Sequence, residues 1–299
     1  MRKLHHSSGD PIADRRAGYA EVLASEHHFS EAADVLSQAL GLVPGWAAGW
    51  ANLGRYREEM GDIAGAVEAW RRSVGLDAEG IYGAALKLVA HGVEATAAAG
   101  AYVEVLFDDY AARFEKSLVD RLGYGVPREL MGLLRDCGLK GGTALDLGCG
   151  TGLMGVEVRG AVQRLEGIDI SEAMLSEARR KGIYDRLVKA DLLDHLRSAE
   201  PAAVATATDV LNYTGPLPPV LQAVHRVLTP RGLFGFSLEL HGGPEPVKLR
   251  SSLRYAHSRE AALAACGEAG FEVVRVKDTV IRQDRGLPVD GLLVVAQKR

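Results

Sequence analysis

The sequence predicts an α/β fold: a seven-stranded sheet, mostly parallel with an antiparallel last strand, which follows an all-helical N-terminal domain. In the first hundred residues, apolar side chains recur at helical spacing, and the pattern repeats after 34 residues. From residue 143 onward, short apolar runs alternate with helical segments, which is typical of a parallel sheet covered by helices. The last two apolar runs are only about a dozen residues apart, too few for a helical crossover, so we expect them to pair antiparallel.

Composition argues against several classes of function. The chain has 299 residues and a net charge of −4, so its bulk charge does not favour nucleic acid or an anionic membrane as a partner. No uncharged apolar run approaches the length of about 18 residues that a membrane span needs. The three cysteines are far apart and form no metal-ligand spacing, which indicates free thiols in a reducing compartment. We therefore expect a cytoplasmic protein.

The N-terminal helices contain an internal repeat. The positions that match at a spacing of 34 residues are Ala32 with Ala66, Leu36 with Trp70, Leu40 with Val74 and Gly41 with Gly75. Residues 13–46 and 47–80 resemble two tetratricopeptide repeats, in which small residues let two helices approach and large ones fill the space between them. We expect the helical domain to span residues 13–100, including a capping helix, and residues 1–12 to form a disordered tail.

Residues 101–140 are predicted to connect the two domains through helices. Apolar side chains recur at helical spacing between residues 102 and 122, and Pro127 suits the first turn of the next helix. The first of these helices is placed to act as a lid over a ligand at the sheet. Tyr110 is the candidate contact that it would bring to the ligand.

The second domain is expected to span residues 141–299 and to contain seven strands. They comprise residues 144–147, 164–169, 187–190, 202–207, 232–238, 271–276 and 292–296. Acids stand at the ends of the first three: Asp146, Asp169 and Asp191. Ligands of such sheets bind at the carboxyl ends of the strands. The recurrence of acids there indicates a binding site rather than three separate helix caps.

The glycine loop after the first strand allows two interpretations. Residues 150–155 (GTGLMG) match the G-x-G-x-x-G fingerprint of dinucleotide-binding folds, and Asp169 lies where a ribose-binding acid is expected. Against a dinucleotide, the loop already begins at Gly148, Asp146 would direct a carboxylate at a pyrophosphate, and an antiparallel closing pair is not typical of that fold. A ligand with a sulfonium, an ammonium and no phosphate fits better. Asp146 can hold its cationic amino-acid end, Asp169 its ribose hydroxyls and Asp191 an adenine amine.

Three segments resemble motifs of the class I S-adenosylmethionine-dependent methyltransferases: residues 145–152 (LDLGCGTG) the glycine loop, 167–171 (GIDIS) the ribose motif and 190–192 (ADL) the adenine motif. The resemblance implies a Rossmann-like methyltransferase sheet with S-adenosyl-L-methionine as cofactor. The cofactor-binding residues expected on these grounds, together with the lid residue, are Asp146, Gly148, Cys149, Gly150, Gly152, Asp169, Ile170, Met174, Asp191, Leu192, Ala207 and Tyr110. The chain departs from the family at Arg231, where glycine is usual, and at Ala202, where an acid is usual.

The whole arrangement is similar to methyltransferases that carry N-terminal tetratricopeptide repeats, and this similarity defines the methyl donor better than the acceptor. Transfer from a sulfonium is an in-line displacement in which alignment is the main requirement, so we expect no metal. If the acceptor needs a base, the candidates are His241 and His257, which lie in an insertion at residues 240–258. The turn Gly242-Gly243-Pro244 suggests that this insertion is a flap over the acceptor.

Three hypotheses follow from these expectations, and the intact set of Asp146, Asp169 and Asp191 disfavours one of them, a non-catalytic scaffold that retains a cofactor-binding domain. The favoured one is methyl transfer to an oxygen or nitrogen atom of a small-molecule acceptor. The alternative is a protein methyltransferase that recruits its substrate through the repeats. The repeats could instead support a homodimer.

Overall fold

The structure is a computed structural model, and it describes residues 7–95, 99–111, 124–284 and 286–299. The helices are α1 (Pro11–Ser25), α2 (Phe29–Leu42), α3 (Ala47–Glu59), α4 (Ile63–Leu76), α5 (Ala84–Ala90), α6 (Gly100–Tyr110), α7 (Val126–Asp136), α8 (Leu153–Val158), α9 (Glu172–Arg180), α10 (Leu192–Leu196), α11 (Pro218–Val227) and α12 (Arg259–Glu268). The strands are β1 (Thr143–Leu147), β2 (Arg164–Asp169), β3 (Arg186–Lys189), β4 (Ala202–Ala207), β5 (Leu228–Leu240), β6 (Val247–Leu249), β7 (Tyr255–His257), β8 (Phe271–Asp284) and β9 (Leu287–Lys298). No helix in these ranges is long and apolar enough to cross a bilayer.

Helices α1 to α4 pack in consecutive pairs around a shared apolar core. α1 begins at Pro11, before the predicted boundary at residue 13, because the Asp10 carboxylate accepts hydrogen bonds from the first free N–H groups. α2 begins at Phe29 and α4 at Ile63, 34 residues later, which is the spacing that the sequence predicts. The identity of these pairs as tetratricopeptide repeats stays a prediction.

The chain divides into two units between Leu106 and Phe107, inside α6. The predicted connecting segment, residues 101–140, is therefore shared between them. Its residues 112–123, which include most of the predicted lid, lie outside the described residues, as do residues 96–98 at the predicted joint. Pro127 lies in the first turn of α7, as predicted.

The sheet of the second unit has the order β3-β2-β1-β4-β5, and each of these strands runs parallel to its neighbours. β9 pairs antiparallel with both β5 and β8. This confirms the predicted parallel sheet and its antiparallel closing strand. The closing strands are longer than predicted: β8 runs to Asp284, β9 begins at Leu287, and the two pair antiparallel along their length.

The predicted number of seven strands is wrong: the sheet has nine within the described residues. The two additional strands, β6 and β7, come from the insertion that was predicted to be a flap. β7 pairs parallel with the end of β5, at Glu239 and Leu240, and β6 pairs antiparallel with β7. The prediction missed them because each is only three residues long and takes its stability from the neighbouring strand.

Both faces of the sheet are buried, and alternate residues of each strand face opposite sides. Val294 packs in the cluster that contains α11 and α12, whereas Val295 packs in the cluster that contains α7 and α8. This burial explains why the strands read as continuous apolar runs. It leaves the strand ends and the loops after them as the place for a polar site.

Candidate functional site

The turn after β1 leaves open backbone at the carboxyl edge of the sheet. Gly148 and Gly150 have φ angles of +62° and +54°, in the left-handed region that other residues rarely adopt. A Cβ on Gly148 would overlap the side chain of Val210, whereas a Cβ on Gly150 would meet nothing within 4 Å. A ligand can therefore approach the backbone closely at Gly150.

Asp169, at the end of β2, ties this loop to the next strand end. Its Oδ2 accepts a hydrogen bond from the Gly150 N–H at 2.8 Å, and its Oδ1 accepts one from the Ser171 N–H at 2.8 Å. Burial raises the pKa of Asp169 to about 6, because it outweighs the two hydrogen bonds, which lower the pKa. Each carboxylate oxygen keeps a second lone pair, so the pair can still accept two hydroxyl groups of a ligand.

Asp146, inside β1, is more deeply buried, with 1% of its surface exposed. Its Oδ2 accepts a hydrogen bond from the Tyr184 hydroxyl at 2.7 Å, and its Oδ1 accepts one from Thr206 Oγ1 at 2.9 Å. Burial raises the pKa of Asp146 to about 6. Asp146 is therefore placed to attract a cationic ligand at the loop through its charge rather than to contact it directly. The sequence motifs gave no sign of Tyr184, which lies between α9 and β3.

Asp191 and Leu192 stand at the start of α10. Asp191 Oδ1 accepts hydrogen bonds from the N–H groups of Leu193 at 2.8 Å and Asp194 at 3.2 Å, so this carboxylate caps the helix. Its side chain is exposed, and Leu192 is partly exposed beside it. Both hydrogen bonds of the helix cap go to Oδ1, so the cap is compatible with the predicted adenine contact, which can use the other oxygen.

The other predicted cofactor residues differ in accessibility. Met174 and Ala207 are buried in the core, whereas Ile170 and Tyr110 are partly exposed. Cys149 is buried, and its burial raises the pKa of the thiol well above the ordinary value, which disfavours a nucleophilic role.

The end of α6 is held against two strand ends on either side of the glycine loop. Asp108 Oδ1 accepts hydrogen bonds from Ser171 Oγ at 2.6 Å and from the Ala173 N–H at 3.2 Å, at the start of α9. Phe107 meets Tyr213, which follows β4, edge to face with 5.4 Å between ring centroids. Sequence reasoning singled out Tyr110 on this helix and missed Asp108, although an acid next to a helix start is a recognisable signal.

A buried ion cluster lies at the carboxyl ends of β4 and β5. Its members are Asp209, Glu239, Arg250, Arg254 and Arg282. Arg254 contacts both acids, and its Nε lies 2.5 Å from Glu239 Oε1. Arg282 Nη1 lies 2.8 Å from the same Glu239 oxygen. Burial alone would raise the pKa of Glu239, but Arg254 and Arg282 together lower it below the ordinary value. This makes Glu239 a poor base.

Two backbone irregularities shape this cluster. Asp209 has a φ of +60°, an uncommon conformation for a residue with a side chain. The pairing of β8 with β9 shifts register between Val280 and Arg282, so that Ile281 and Arg282 are both buried although they are adjacent. Such bulges re-aim side chains next to functional sites. Here the bulge directs Arg282 towards Glu239.

The two candidate catalytic histidines are neighbours. The His241 N–H donates to the His257 carbonyl oxygen at 3.1 Å. His257 is 2% exposed, its Nε2 lies 2.9 Å from the Gly215 carbonyl oxygen, and its Nδ1 has no hydrogen-bond partner among the described residues. Burial lowers the pKa of His257, so the ring is neutral near pH 7 and carries a free lone pair. His241 Nδ1 accepts from the Gly243 N–H at 3.1 Å.

Comparison with known proteins gives the class of the α/β unit. A model of a methyltransferase domain family matches residues 144–232. The fold is similar to magnesium protoporphyrin IX methyltransferase from Synechocystis PCC 6803 with bound S-adenosylmethionine, at 19% identity over 69% of this chain and 100% of that chain, with a TM-score of 0.51. It is also similar to 1,6-didemethyltoxoflavin-N1-methyltransferase from Burkholderia thailandensis, at 19% identity over 69% of this chain and 92% of that chain, with a TM-score of 0.53. No curated protein matches the chain.

Residues 144–232 thus match a methyltransferase domain, and the α/β unit has the fold of a methyltransferase that was solved with S-adenosylmethionine bound. The residues around the loop fit that cofactor. Thr151 Oγ1 is buried without a hydrogen-bond partner in the described part of the chain, so it can bind the carboxylate of an amino acid. Asp146 and Asp169 bring negative charge to the same loop, which suits a cationic ligand and opposes a pyrophosphate.

Proposed function

We propose that this protein transfers a methyl group from S-adenosylmethionine to an oxygen or nitrogen atom of a small-molecule acceptor. The observation that carries the proposal is the hydrogen bond from the Gly150 N–H to Asp169, which joins the open glycine loop to the acid at the next strand end. The fold of the α/β unit supports the same cofactor, and so does the Thr151 hydroxyl, which has no hydrogen-bond partner among the described residues.

Residues in and around the loop would bind different parts of the cofactor. Asp169 accepts the ribose hydroxyls through its remaining lone pairs, while the backbone at Gly150 and the hydroxyl of Thr151 meet the amino-acid end. Asp146 supplies negative charge from within β1. Asp191 and Ile170 border the adenine.

S-adenosylmethionine, when bound, supplies a methyl group on a sulfonium that is already electrophilic, so the chain's main task is to align the acceptor with it. The end of α6, held by Asp108 and Phe107, borders the site from one side. Tyr213 borders it from the end of β4. These side chains limit the orientation of an acceptor and exclude water from the reacting atoms.

His257 is the proposed base for an acceptor that must lose a proton. Its Nδ1 has no partner among the described side chains, and its lowered pKa keeps it neutral near pH 7. His241 is the second candidate, since its Nε2 is likewise buried and unpartnered in the described ranges. Glu239 is a weaker candidate because its guanidinium partners favour the ionised form and lower its basicity.

The test is a screen of small acceptors with the full chain, in which release of S-adenosylhomocysteine is measured. We expect acceptor-dependent release, and we expect His257→Asn to lower kcat by about a hundredfold while the KM for the cofactor stays the same. His28→Asn, on the exposed turn before α2, is the matched control. Unchanged kcat in His257→Asn would exclude its role as base, and no release with any acceptor would argue against methyl transfer.

We further propose that α1 to α4 form two tetratricopeptide repeats. Their spacing of 34 residues supports this, and so does Gly54, where a side chain would overlap the Trp70 indole that packs between the helices. Such repeats could recruit a protein substrate, and this is the alternative function. Methylation of a small acceptor at an unchanged rate by a chain that lacks residues 1–98 would exclude obligatory recruitment of a peptide.

A further inference from the structure

The ring of Tyr184 lies in a cradle of three glycines from two elements, Gly152 and Gly155 at the start of α8 and Gly167 in β2. A Cβ on Gly155 would overlap the tyrosine hydroxyl and lie 2.5 Å from its Cζ. A Cβ on Gly167 would lie 2.8 Å from Cε1, and a Cβ on Gly152 would lie 3.0 Å from Cε2. A Cβ at Gly155 or Gly167 would overlap the ring, and one at Gly152 would be in tight contact with it, so the three glycines leave space for the tyrosine.

The structural role of Gly155 here differs from the role of the third glycine in the dinucleotide fingerprint. In the fingerprint, the third glycine allows a helix to pack closely on a strand. Here the space at Gly155 is filled by an aromatic ring that enters from the segment between α9 and β3. The match to G-x-G-x-x-G therefore does not indicate a pyrophosphate site in this chain.

At the end of the cradle, Tyr184 reaches the buried carboxylate of β1. Its hydroxyl donates to Asp146 Oδ2 at 2.7 Å, while Thr206 Oγ1 donates to Oδ1 at 2.9 Å. Hydrogen bonds to an ionised carboxylate are strong and directional, so the two donors fix its orientation. We propose that Tyr184 is a positioning residue of the cofactor site, which fixes the Asp146 carboxylate next to the glycine loop and so sets the affinity for the cofactor. This inference rests on the proposed function.

The hydrogen bond from Tyr184 favours the ionised form of the Asp146 carboxyl group. Burial raises the pKa of Asp146 to about 6, and the hydrogen bonds from Tyr184 and Thr206 limit the rise. Other titratable or charged groups near Asp146 and the cradle are Asp169, the Cys149 thiol and Lys181, and Arg179, Asp185 and Arg186 line a cavity together with Tyr184. Loss of the Tyr184 hydroxyl therefore raises the pKa of Asp146 further, and a smaller fraction of the carboxyl is ionised near neutral pH.

The test is calorimetric titration of the full chain with S-adenosylmethionine from about pH 5 to about pH 9, a range that spans the titration of a raised carboxyl. Tyr184→Phe keeps the ring in its cradle and removes only the hydroxyl. Thr206→Val removes the other donor at nearly constant volume and provides a second test if the first variant does not fold. Tyr19→Phe, at an exposed position of α1, is the matched control.

In Tyr184→Phe we expect the pH at which binding reaches its plateau to rise by about one unit or more, because the lost bond is one to a charged group. The affinity should fall about tenfold near pH 5, below both pKa values, and about twofold near pH 7, and it should recover near pH 9, since one unit in pKa corresponds to a factor of ten in the ionised fraction only below both pKa values. In Thr206→Val, the pH at which binding reaches its plateau should also rise. A loss of affinity that is equal at every pH, or an unchanged pH profile, would overturn the inference. If the unaltered chain binds no cofactor at any pH, the proposed function itself is overturned.

Discussion

Glu239 is the centre of the buried ion cluster, and Glu239→Gln measures how much this cluster stabilises the carboxyl edge of the sheet. The carboxylate is 2% exposed and is surrounded by Arg254 Nε at 2.5 Å, Arg282 Nη1 at 2.8 Å and Arg250 Nη1 at 3.4 Å. Glutamine keeps the shape but removes the charge. The guanidinium groups around it then stay buried with one negative charge fewer to balance them.

The expected loss can be estimated from these contacts. Removal of one partner of a buried ion pair costs about 3–5 kcal/mol. Asp209 still contacts Arg254 and Arg282 in the variant, so we expect the lower end, about 3 kcal/mol. In a unit of this size, that corresponds to a fall in Tm of roughly 6–12 °C.

The effect should also depend on pH. The pKa of Glu239 is lower in the folded chain than its ordinary value. A carboxyl with a lowered pKa contributes its stability above the unfolded pKa and loses it as the pH falls through the folded pKa. The difference in Tm between the unaltered chain and Glu239→Gln should therefore be full near neutral pH and shrink below about pH 4.

Differential scanning calorimetry is the suitable assay, because all three tryptophans lie in the helical unit and their fluorescence would not report on the sheet. Glu272→Gln, at an exposed position of β8, is the matched control. If Glu239→Gln unfolds within about 1 °C of this control at neutral pH, a difference well under 1 kcal/mol, the cluster does not stabilise the fold and the reasoning is refuted.

Two further predictions concern the glycine loop. Because burial raises the pKa of both Asp146 and Asp169 to about 6, a cationic cofactor should lower both pKa values and release protons on binding near pH 6. The binding enthalpy should then vary with the ionisation enthalpy of the buffer near pH 6 and much less near pH 8; equal enthalpies in all buffers near pH 6 would contradict this. Gly155→Ala should displace Tyr184 and cost about 1–3 kcal/mol of unfolding free energy. Gly160→Ala, where a Cβ meets nothing within 4 Å, should be nearly neutral, and equal effects of the two changes would contradict the cradle.

The sequence predicted the order of the α/β elements because local patterns determine them. The alternation of apolar runs with helical segments, and the short spacing of the last two runs, led to the parallel sheet and its antiparallel closing strand. Asp169 could be singled out for the same reason, since an acid after a strand and before a capped helix is a local signal. β6 and β7 could not be predicted, because three-residue strands depend on β5 for their pairing.

The contacts inside the site depend on tertiary structure. Nothing in the sequence shows that Tyr184 reaches Asp146, because the contact needs glycines from two elements to leave space for the ring. Arg254 and Arg282 meet at Glu239 only because the β8–β9 hairpin turns back along the sheet and contains a bulge. Such contacts join residues that are far apart in the chain, and local patterns do not encode them.

Binding of S-adenosylmethionine to the purified chain, measured by calorimetry, tests the central claim most directly. We expect one cofactor per chain, and a loss of affinity of about a hundredfold or more in Asp169→Ala, which removes two charge-assisted hydrogen bonds and the ribose contact. Asp284→Ala, at an exposed position of β8, should bind as the unaltered chain does. No binding to the unaltered chain, or equal affinity in Asp169→Ala, would contradict the account.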